Sequence, residues 1–375
     1  MDDKRAYICL NLIPGVGPVK VSRLISYFGG AAEIFKQSFK TLKSVEGIGP
    51  KLAELITAGP EKYNPDDEIR LAEQAGVQII SFACAEYPEM LSHIADPPLV
   101  LYIRGQLESI NRGGNSIAVV GSRRPSHYGI NMAKALSVSA VSAGWVVVSG
   151  LATGIDTAAH KATLEAGGLT VAVLGSGLGR LYPQENLDLA RQITEKGAVI
   201  SEFPMNYPPD KRSFPMRNRI ISGITAGTIV VEAGVKSGTL ITADQAAEQG
   251  RTVFAVPGRA DQPHSRGCHR LIRTGAVLIE SFADVLEDFN SASLFESAEI
   301  APVPQKNDSA HTLPVLTLRE TEQKIVEFLT QGEVTVDNMV EELQLSVGTV
   351  FATLIEMETK RLVKPLPGRR YALRN

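Results

Sequence analysis

The chain has 375 residues, enough for two or three domains at about 150 residues each. With 44% hydrophobic residues, 21% charged residues and a net charge of −3, it is no polycationic nucleic-acid coat, and phosphate binding has to come from a local patch. Cys9, Cys84 and Cys268 stand far apart without a CxxC pair, and no basic-then-apolar leader or long apolar run is present, so a reducing cytoplasmic setting without membrane insertion is expected.

In chain order, the first elements are short helices punctuated by glycine. LIPGVGPVKVSRLISYFG (12–29) and SVEGIGPKLAELI (44–56) share one pattern: an apolar residue, Gly-apolar-Gly-Pro, a lysine, then apolar residues at helical spacing. This predicts helix, tight turn, helix, used twice within a helical domain of residues 1–65. Glycines allow a sharp turn that leaves backbone N–H groups exposed at a helix start, where the helix dipole favours an anion. The pattern resembles the paired (SAM-like) helix-hairpin-helix motif, whose turn grips a DNA phosphate; a plain packing connection between two helices is the alternative reading.

VQIISF (77–82) and PLVLYIRG (98–105) read as strands, and from 115 to about 280 apolar β-branched runs alternate with helices. The runs are SIAVVG (116–121), WVVVSG (145–150), TVAVLG (170–175), AVISE (198–202), GTIVVEA (227–233) and TVFAVPG (252–258). Near-continuous apolar strands alternating with amphipathic helices predict an α/β fold, an extended Rossmann-like parallel sheet covered on both faces over 66–289. Several runs end in glycine, which places glycine loops at the carboxyl ends of the strands, where open parallel sheets bind ligands. Residues 290–314, rich in Ser, Ala and Pro, read as a linker. Three helices and a hairpin over 315–375 then resemble a winged helix.

The loops themselves limit the chemistry. GSGLGR (175–180) lacks the third glycine of a dinucleotide fingerprint, and Pro183 blocks an immediate helix. AGVKSGT (233–239) lacks the leading glycines of a Walker A loop, and the six histidines never pair at metal-ligand spacing; His160 and His269 read as packing or surface residues. No nucleophile–base pair is visible, so neither a catalytic residue, a metal nor a cofactor is expected. GSRRPSHYG (121–129) does look made for an anion: Gly121 permits close backbone approach, Ser122 and Ser126 offer hydroxyls, and Arg123 and Arg124 bring guanidinium forks to a helix start. Asp156 in SGLATGIDTAAH (149–160) reads as a helix cap, and Lys236 precedes a Ser237–Gly238–Thr239 turn. In DKRSFPMRNRIISG (210–223), Lys211, Arg212, Arg217 and Arg219 surround Phe214, placed in a loop by Pro215. Cations for phosphates around a ring for a base suit single-stranded nucleic acid.

GSRRPS, SGLATGIDTAAH, SEFP (201–204), SFPMRNRIISG, VVEAGVKSGTLITADQA and VPG…GCHRLIRTGA, in this order and after YPEMLSHIADPPLVLYIRG (87–105), resemble the DprA/Smf family of bacterial DNA-processing proteins. The resemblance covers roughly 80–290, and the hairpin and winged-helix segments extend it to nearly the whole chain. It implies non-catalytic binding of single-stranded DNA and loading of RecA recombinase onto it in natural transformation. It also implies Arg123 and Lys211 at phosphates, Phe214 beside a base, and a homodimer through the helix of GCHRLIRTGA, with Leu271 and Ile272 as apolar contacts. Gly121, Ser122, Arg124, Arg217, Lys236, Ser237, Gly238 and Thr239 join the expected DNA site on their chemistry.

Two other readings were weighed on the residues. Nucleotide phosphoribohydrolases on a related sheet carry PGGxGTxxE, but here the glutamate position is Thr242 and the proline is missing, which leaves hydrolysis without its carboxylate. A transcription factor would act through SVGTVFATLIEMETK, yet Glu356 and Glu358 face only Lys360 there. Lys364, Arg369, Arg370 and Arg374 in the hairpin leave a phosphate contact open, as do the N-terminal hairpins for duplex or backbone contact.

Overall fold

The computed structural model describes residues 1–107, 115–296, 320–329, 334–343, 349–350, 353–354, 357, 363–366 and 370–373. The chain divides into two compact units, Met1–Glu299 and Ile300–Asn375.

Both glycine hairpins form as the sequence predicts. The helices Asp3–Leu12 and Pro18–Phe28 flank the first, and Phe39–Lys43 and Pro50–Thr57 flank the second. Gly15 and Gly47 adopt φ of +82° and +83°, the left-handed turn that an L side chain resists, and Gly17 and Gly49 cap helices that begin with proline. Arg23 links the repeats by donating 2.8 Å to the Glu46 carbonyl beside the second turn.

A nine-stranded sheet forms the centre of the first unit. Its strands are β1 (Gln78–Ser81), β2 (Val100–Gly105), β3 (Ser116–Val120), β4 (Val146–Ser149), β5 (Thr170–Leu174), β6 (Ala198–Ser201), β7 (Gly227–Val230), β8 (Thr252–Ala255) and β9 (Val277–Leu278). The order is β1-β2-β6-β5-β4-β3-β7-β8-β9, with β3 to β9 parallel and β1–β2 attached antiparallel at β6. Every residue of β3 to β7 is buried, as expected of strands covered on both faces. Alternate side chains feed two cores. Ala118, Val120, Val148 and Val230 meet Ile220, Leu240 and Cys268, while Ile117, Val119, Val147 and Ile229 meet Leu136, Ile155 and Phe282. The very short β9 has only two residues and no sequence signal marked it.

The N-terminal helices share a core with the sheet, for Leu10, Leu24 and Ile56 belong to the same cluster as Tyr102, Leu174 and Val199. The expected boundary at 65/66 therefore falls inside one compact unit, and Arg5 of the first helix pairs with Asp66 at 2.8 Å across it. The helix Phe282–Glu296 likewise runs through the first residues of the expected linker; 297–319 lie outside the described residues.

In the second unit, helices Glu320–Leu329 and Val336–Leu343 accompany a three-stranded sheet of β10 (Val334–Thr335), β11 (Val363–Leu366) and β12 (Arg370–Leu373), in the order β10-β12-β11. Ile325, Met339, Val350, Leu354 and Val363 form its core. Lys364 and Arg370 lie on the hairpin strands. Glu356, Glu358, Lys360, Arg369 and Arg374 lie outside the described residues.

Candidate nucleic-acid interface

The strand order reverses between β3 and β7, since β4, β5 and β6 lie to one side of β3 and β7, β8 and β9 to the other. A crevice opens at the carboxyl ends of the strands at such a point. The loops that reach it are 121–126 after β3, 150–154 after β4, 175–186 after β5 and 231–238 after β7.

The helix Ser213–Gly223 ties these loops together. Ser213 donates through its hydroxyl to the Gly175 carbonyl, Arg217 donates to the Gly150 and Val173 carbonyls, and Asn218 reaches the Gly238 carbonyl at 3.5 Å. Thr239 completes the ring with a 3.0 Å bond to the Gly121 carbonyl, and the Ile155 N–H donates 3.1 Å to the Ser122 carbonyl. A single helix thus sets the relative heights of the glycine loops.

Phe214 lies in the first turn of this helix rather than in a loop, because proline is tolerated in a helix's first turn, where its missing N–H has no bond to lose. Its half-buried ring rests on the backbone of Gly175, where a Cβ would come within 2.7 Å of Phe214 Cδ1. Arg123 sits 5.4 Å over the ring centroid, in cation–π range, and Tyr182 lies 5.9 Å away, its ring tilted by 46°. Tyr182 is 47% exposed and was missed at the sequence level, though an aromatic in GRLYPQEN beside a phosphate-type loop was the available signal. Of the glycines of GSGLGR only Gly175 serves this packing, Gly177 and Gly179 instead admitting the Met205 backbone, and the loop turns through Leu178–Arg180 and Gln184–Asn186 before its helix begins at Leu187, unlike a dinucleotide fingerprint.

Arg123, Arg124, Lys211 and Lys236 are exposed, the first two on the 121–126 loop, Lys211 just before the helix Ser213–Gly223 and Lys236 on the 231–238 loop. The Ser122 hydroxyl accepts from the Arg124 N–H at 3.1 Å, and the Ser237 hydroxyl donates to Thr239 at 3.0 Å, so both serine side chains shape their turns. Gly238 is exposed at the start of the helix Thr239–Glu248.

Three expectations need correction. Arg217 is only 4% exposed and faces inward, because residues 213, 217 and 220 share the buried helix face; its guanidinium is used on two carbonyls and opposite Asp156. Burial pulls its pKa down to about 10, with Asp156 acting the other way, so it stays charged. Arg219 is buried as well, paired with Glu202 at 2.5 Å and Asp96 at 2.9 Å. Two of the four cations around Phe214 are therefore internal counter-ions. Glu202, an acid directly after the apolar strand β6, was the signal that a buried arginine was needed.

The second correction concerns the helix start at His127–Ser142. Part of it is taken by the chain itself: the buried Glu232 carboxylate accepts from the Ser126 N–H at 2.9 Å and from the Ser126 hydroxyl, which in turn accepts from the Gly129 N–H at 3.1 Å. The Ser126 and Gly129 N–H groups are therefore not available to an anion, which shifts phosphate binding toward the cationic side chains. Third, Leu271 is 8% exposed and packs into the core, so of the expected dimer pair only the partly buried Ile272 has surface to offer.

Asp156 is the second residue of the helix Ile155–Glu165 and accepts from the N–H groups of Gly150 at 3.1 Å and Ala152 at 3.3 Å. It closes its own loop instead of capping the helix. Burial raises its carboxyl above the ordinary range, against the pull of Arg217 and of those N–H groups. His160 is fully buried, its Nδ1 2.7 Å from the Thr170 hydroxyl, and burial drives it down to about 3. His269 is bonded at 2.9 Å to the Gly258 carbonyl. Among the described residues no group of three or more His, Cys, Asp and Glu is arranged to hold a metal, and no helix is long and apolar enough to cross a membrane.

Comparison with known proteins matches three families to this chain: DNA recombination-mediator protein A over 78–290, the DprA winged helix domain over 309–369, and the SAM-like helix-hairpin-helix tandem over 10–59. Protein Smf of Synechocystis is 34% identical over 396 residues, covering 100% of both chains. DNA processing protein DprA of Bacillus subtilis is 41% identical over 244 residues, 65% of this chain and 77% of the relative. Among solved structures, DprA from Streptococcus pneumoniae superposes with a TM-score of 0.66 at 34% identity, over 76% of this chain and 98% of that one. DprA from Helicobacter pylori, described for its single-stranded DNA binding mode, gives 0.51 at 26% identity over 59% of this chain and 96% of that one.

Proposed function

We propose that this chain, which belongs to the DNA recombination-mediator protein A (DprA/Smf) family, binds single-stranded DNA along the carboxyl edge of its sheet without catalysing a reaction. As a homodimer in the cytoplasm it then loads RecA recombinase onto the strand during natural transformation. The observation that carries the DNA reading is the set of exposed cations, Arg123, Arg124, Lys211 and Lys236, on the loops and helix start at the crevice, with Arg123 over Phe214 and Tyr182 beside that ring, in a chain whose net charge is −3. Exposed cations hold phosphates, and two aromatics offer faces to bases at about 1–3 kcal/mol per stacked base. The non-catalytic part is supported by Thr242, a buried threonine at the position where a phosphoribohydrolase on a related sheet needs a glutamate.

Because Glu232 and the Ser126 hydroxyl occupy part of the helix start, binding should rest mainly on side-chain charge and be strongly salt-dependent, with a log–log slope of about −0.7 per phosphate contacted. Fluorescence anisotropy with single-stranded and duplex DNA of equal length at two salt concentrations tests this. The Arg123→Ala/Lys211→Ala double variant should weaken binding across sequences and flatten the slope by about 1.4. An unchanged affinity in that variant would remove the site, and release of free base from a purine nucleoside monophosphate would contradict the non-catalytic reading.

A further inference from the structure

We propose that a second nucleotide subsite lies beside Tyr182, in the cleft between the 175–186 loop and the helix Leu187–Lys196, and that it takes the next nucleotide of a bound strand. This deepens the reading above and rests on it. The cleft has a volume of about 390 Å³, within the range of small-ligand sites. Leu181, Leu187 and Val199 give it apolar surface, Arg104, Arg180 and Arg191 line it with guanidinium groups, and no carboxylate belongs to its lining. An apolar floor with a cationic rim fits a nucleotide, the base on the former and its phosphate on the latter.

Each arginine has capacity to spare. Arg104, on β2, donates 3.1 Å to the Ala75 carbonyl, while its buried Nε has no hydrogen-bond partner. A buried donor without a partner is costly, and a phosphate oxygen is the acceptor a guanidinium fork fits best. Arg180 is exposed two residues before Tyr182, so about 7 Å of extended chain at most separates their Cα atoms. One loop thereby supplies both the aromatic beside Phe214 and a cation of the cleft, so a strand that passes over Tyr182 has Arg180 of the same loop close by. Arg191 is bonded to Asp188 at 3.0 Å, but side-chain exposures of 78% and 85% make that a weak, screened pair which a phosphate can displace.

The experiment is anisotropy on the full chain with oligothymidylates graded from about 4 to about 16 nucleotides, the range of single-strand site sizes. Wild type is compared with Arg180→Ala/Arg191→Ala, two exposed positions whose loss should leave the urea midpoint unchanged. Wild-type affinity should rise with length beyond the oligomer that fills the Phe214 site. The variant should bind the shortest oligomers as wild type does, lose on the order of tenfold with the longest, and show a salt slope shallower by about 0.7 to 1.4 there. Identical length dependence and slope in the two proteins would overturn the subsite while leaving the main site standing, as would an equal loss at every length. A wild-type protein that binds no oligomer of any length would overturn both.

Discussion

Replacing Arg217 by leucine separates a structural arginine from a DNA-binding one. The substitution strands the Asp156 carboxylate in the interior and removes the donors that reach the Gly150 and Val173 carbonyls. Each buried carbonyl left without its donor costs about 1–3 kcal/mol, and the lost counter-charge to Asp156 adds to this, so a total of about 3 kcal/mol or more is expected. With a urea m-value of about 3 kcal/mol/M, the midpoint should fall by about 1 M or more. The cost should also depend on pH. Asp156 already has a folded-state pKa above its unfolded value, and losing Arg217 raises it further, so its stabilising contribution is present in acid and lost as pH rises through the folded value. Arg217→Leu should therefore be less damaging at pH 5 than at pH 8, and adding Asp156→Asn should recover part of the loss. By contrast, Lys211→Ala at an exposed position should keep stability within about 0.5 kcal/mol while weakening DNA binding. If Arg217→Leu shifts stability by less than about 1 kcal/mol yet weakens DNA binding as Lys211→Ala does, the guanidinium reaches the ligand and the buried assignment is refuted.

Phe214→Ala should lower affinity for single-stranded DNA by about 1–3 kcal/mol with the salt slope nearly intact, because the ring carries no charge; a flattened slope would mean that it acts mainly by placing Arg123. Gly154→Ala should destabilise far more than Gly144→Ala: both glycines have positive φ, +88° and +78°, but a Cβ at 154 comes within 2.3 Å of the Ser122 carbonyl oxygen while one at 144 meets nothing within 4 Å. Equal urea midpoints for the two would contradict the close packing of the 121–124 and 150–154 loops. His160 binds a proton in the unfolded chain below about pH 6.5 but in the folded one only near 3. Stability should thus fall on acidification across that window by up to about 1.4 kcal/mol per pH unit from this residue, a slope absent in His160→Gln if the urea midpoint is followed from pH 7 downward. Thiol titration of the native protein should modify the half-buried Cys84 first, with Cys9 and Cys268, both buried and pushed up to about 12, reacting only on unfolding.

Much of the fold was legible because its signals are local. The β-branched runs of β3 to β8 mark buried strands wherever they occur, and GVGP and GIGP mark helix starts, since positive φ and a proline in the first turn are requirements of the backbone itself. The exposed cations Arg123, Arg124, Lys211 and Lys236 stand in short segments, GSRRPS, DKRSF and AGVKSGT, whose chemistry is written in consecutive residues, so the sequence could nominate them as candidates. What tertiary structure alone decided is which charges face inward. Arg217 and Arg219 stand in the same basic segment as Lys211 and Arg212, but their partners Asp156, Asp96 and Glu202 come from other loops and strand ends, 17 to 123 residues away along the chain where a hydrogen bond or ion pair joins them to Arg219. The occupation of part of the helix start by Glu232, 106 residues from Ser126, is of the same kind. So is the cleft that brings Arg104 of β2 beside Arg180 and Arg191. A local pattern can say that a cation is present. Only the packing of distant carboxylates determines whether it is neutralised inside or left at the surface for a phosphate.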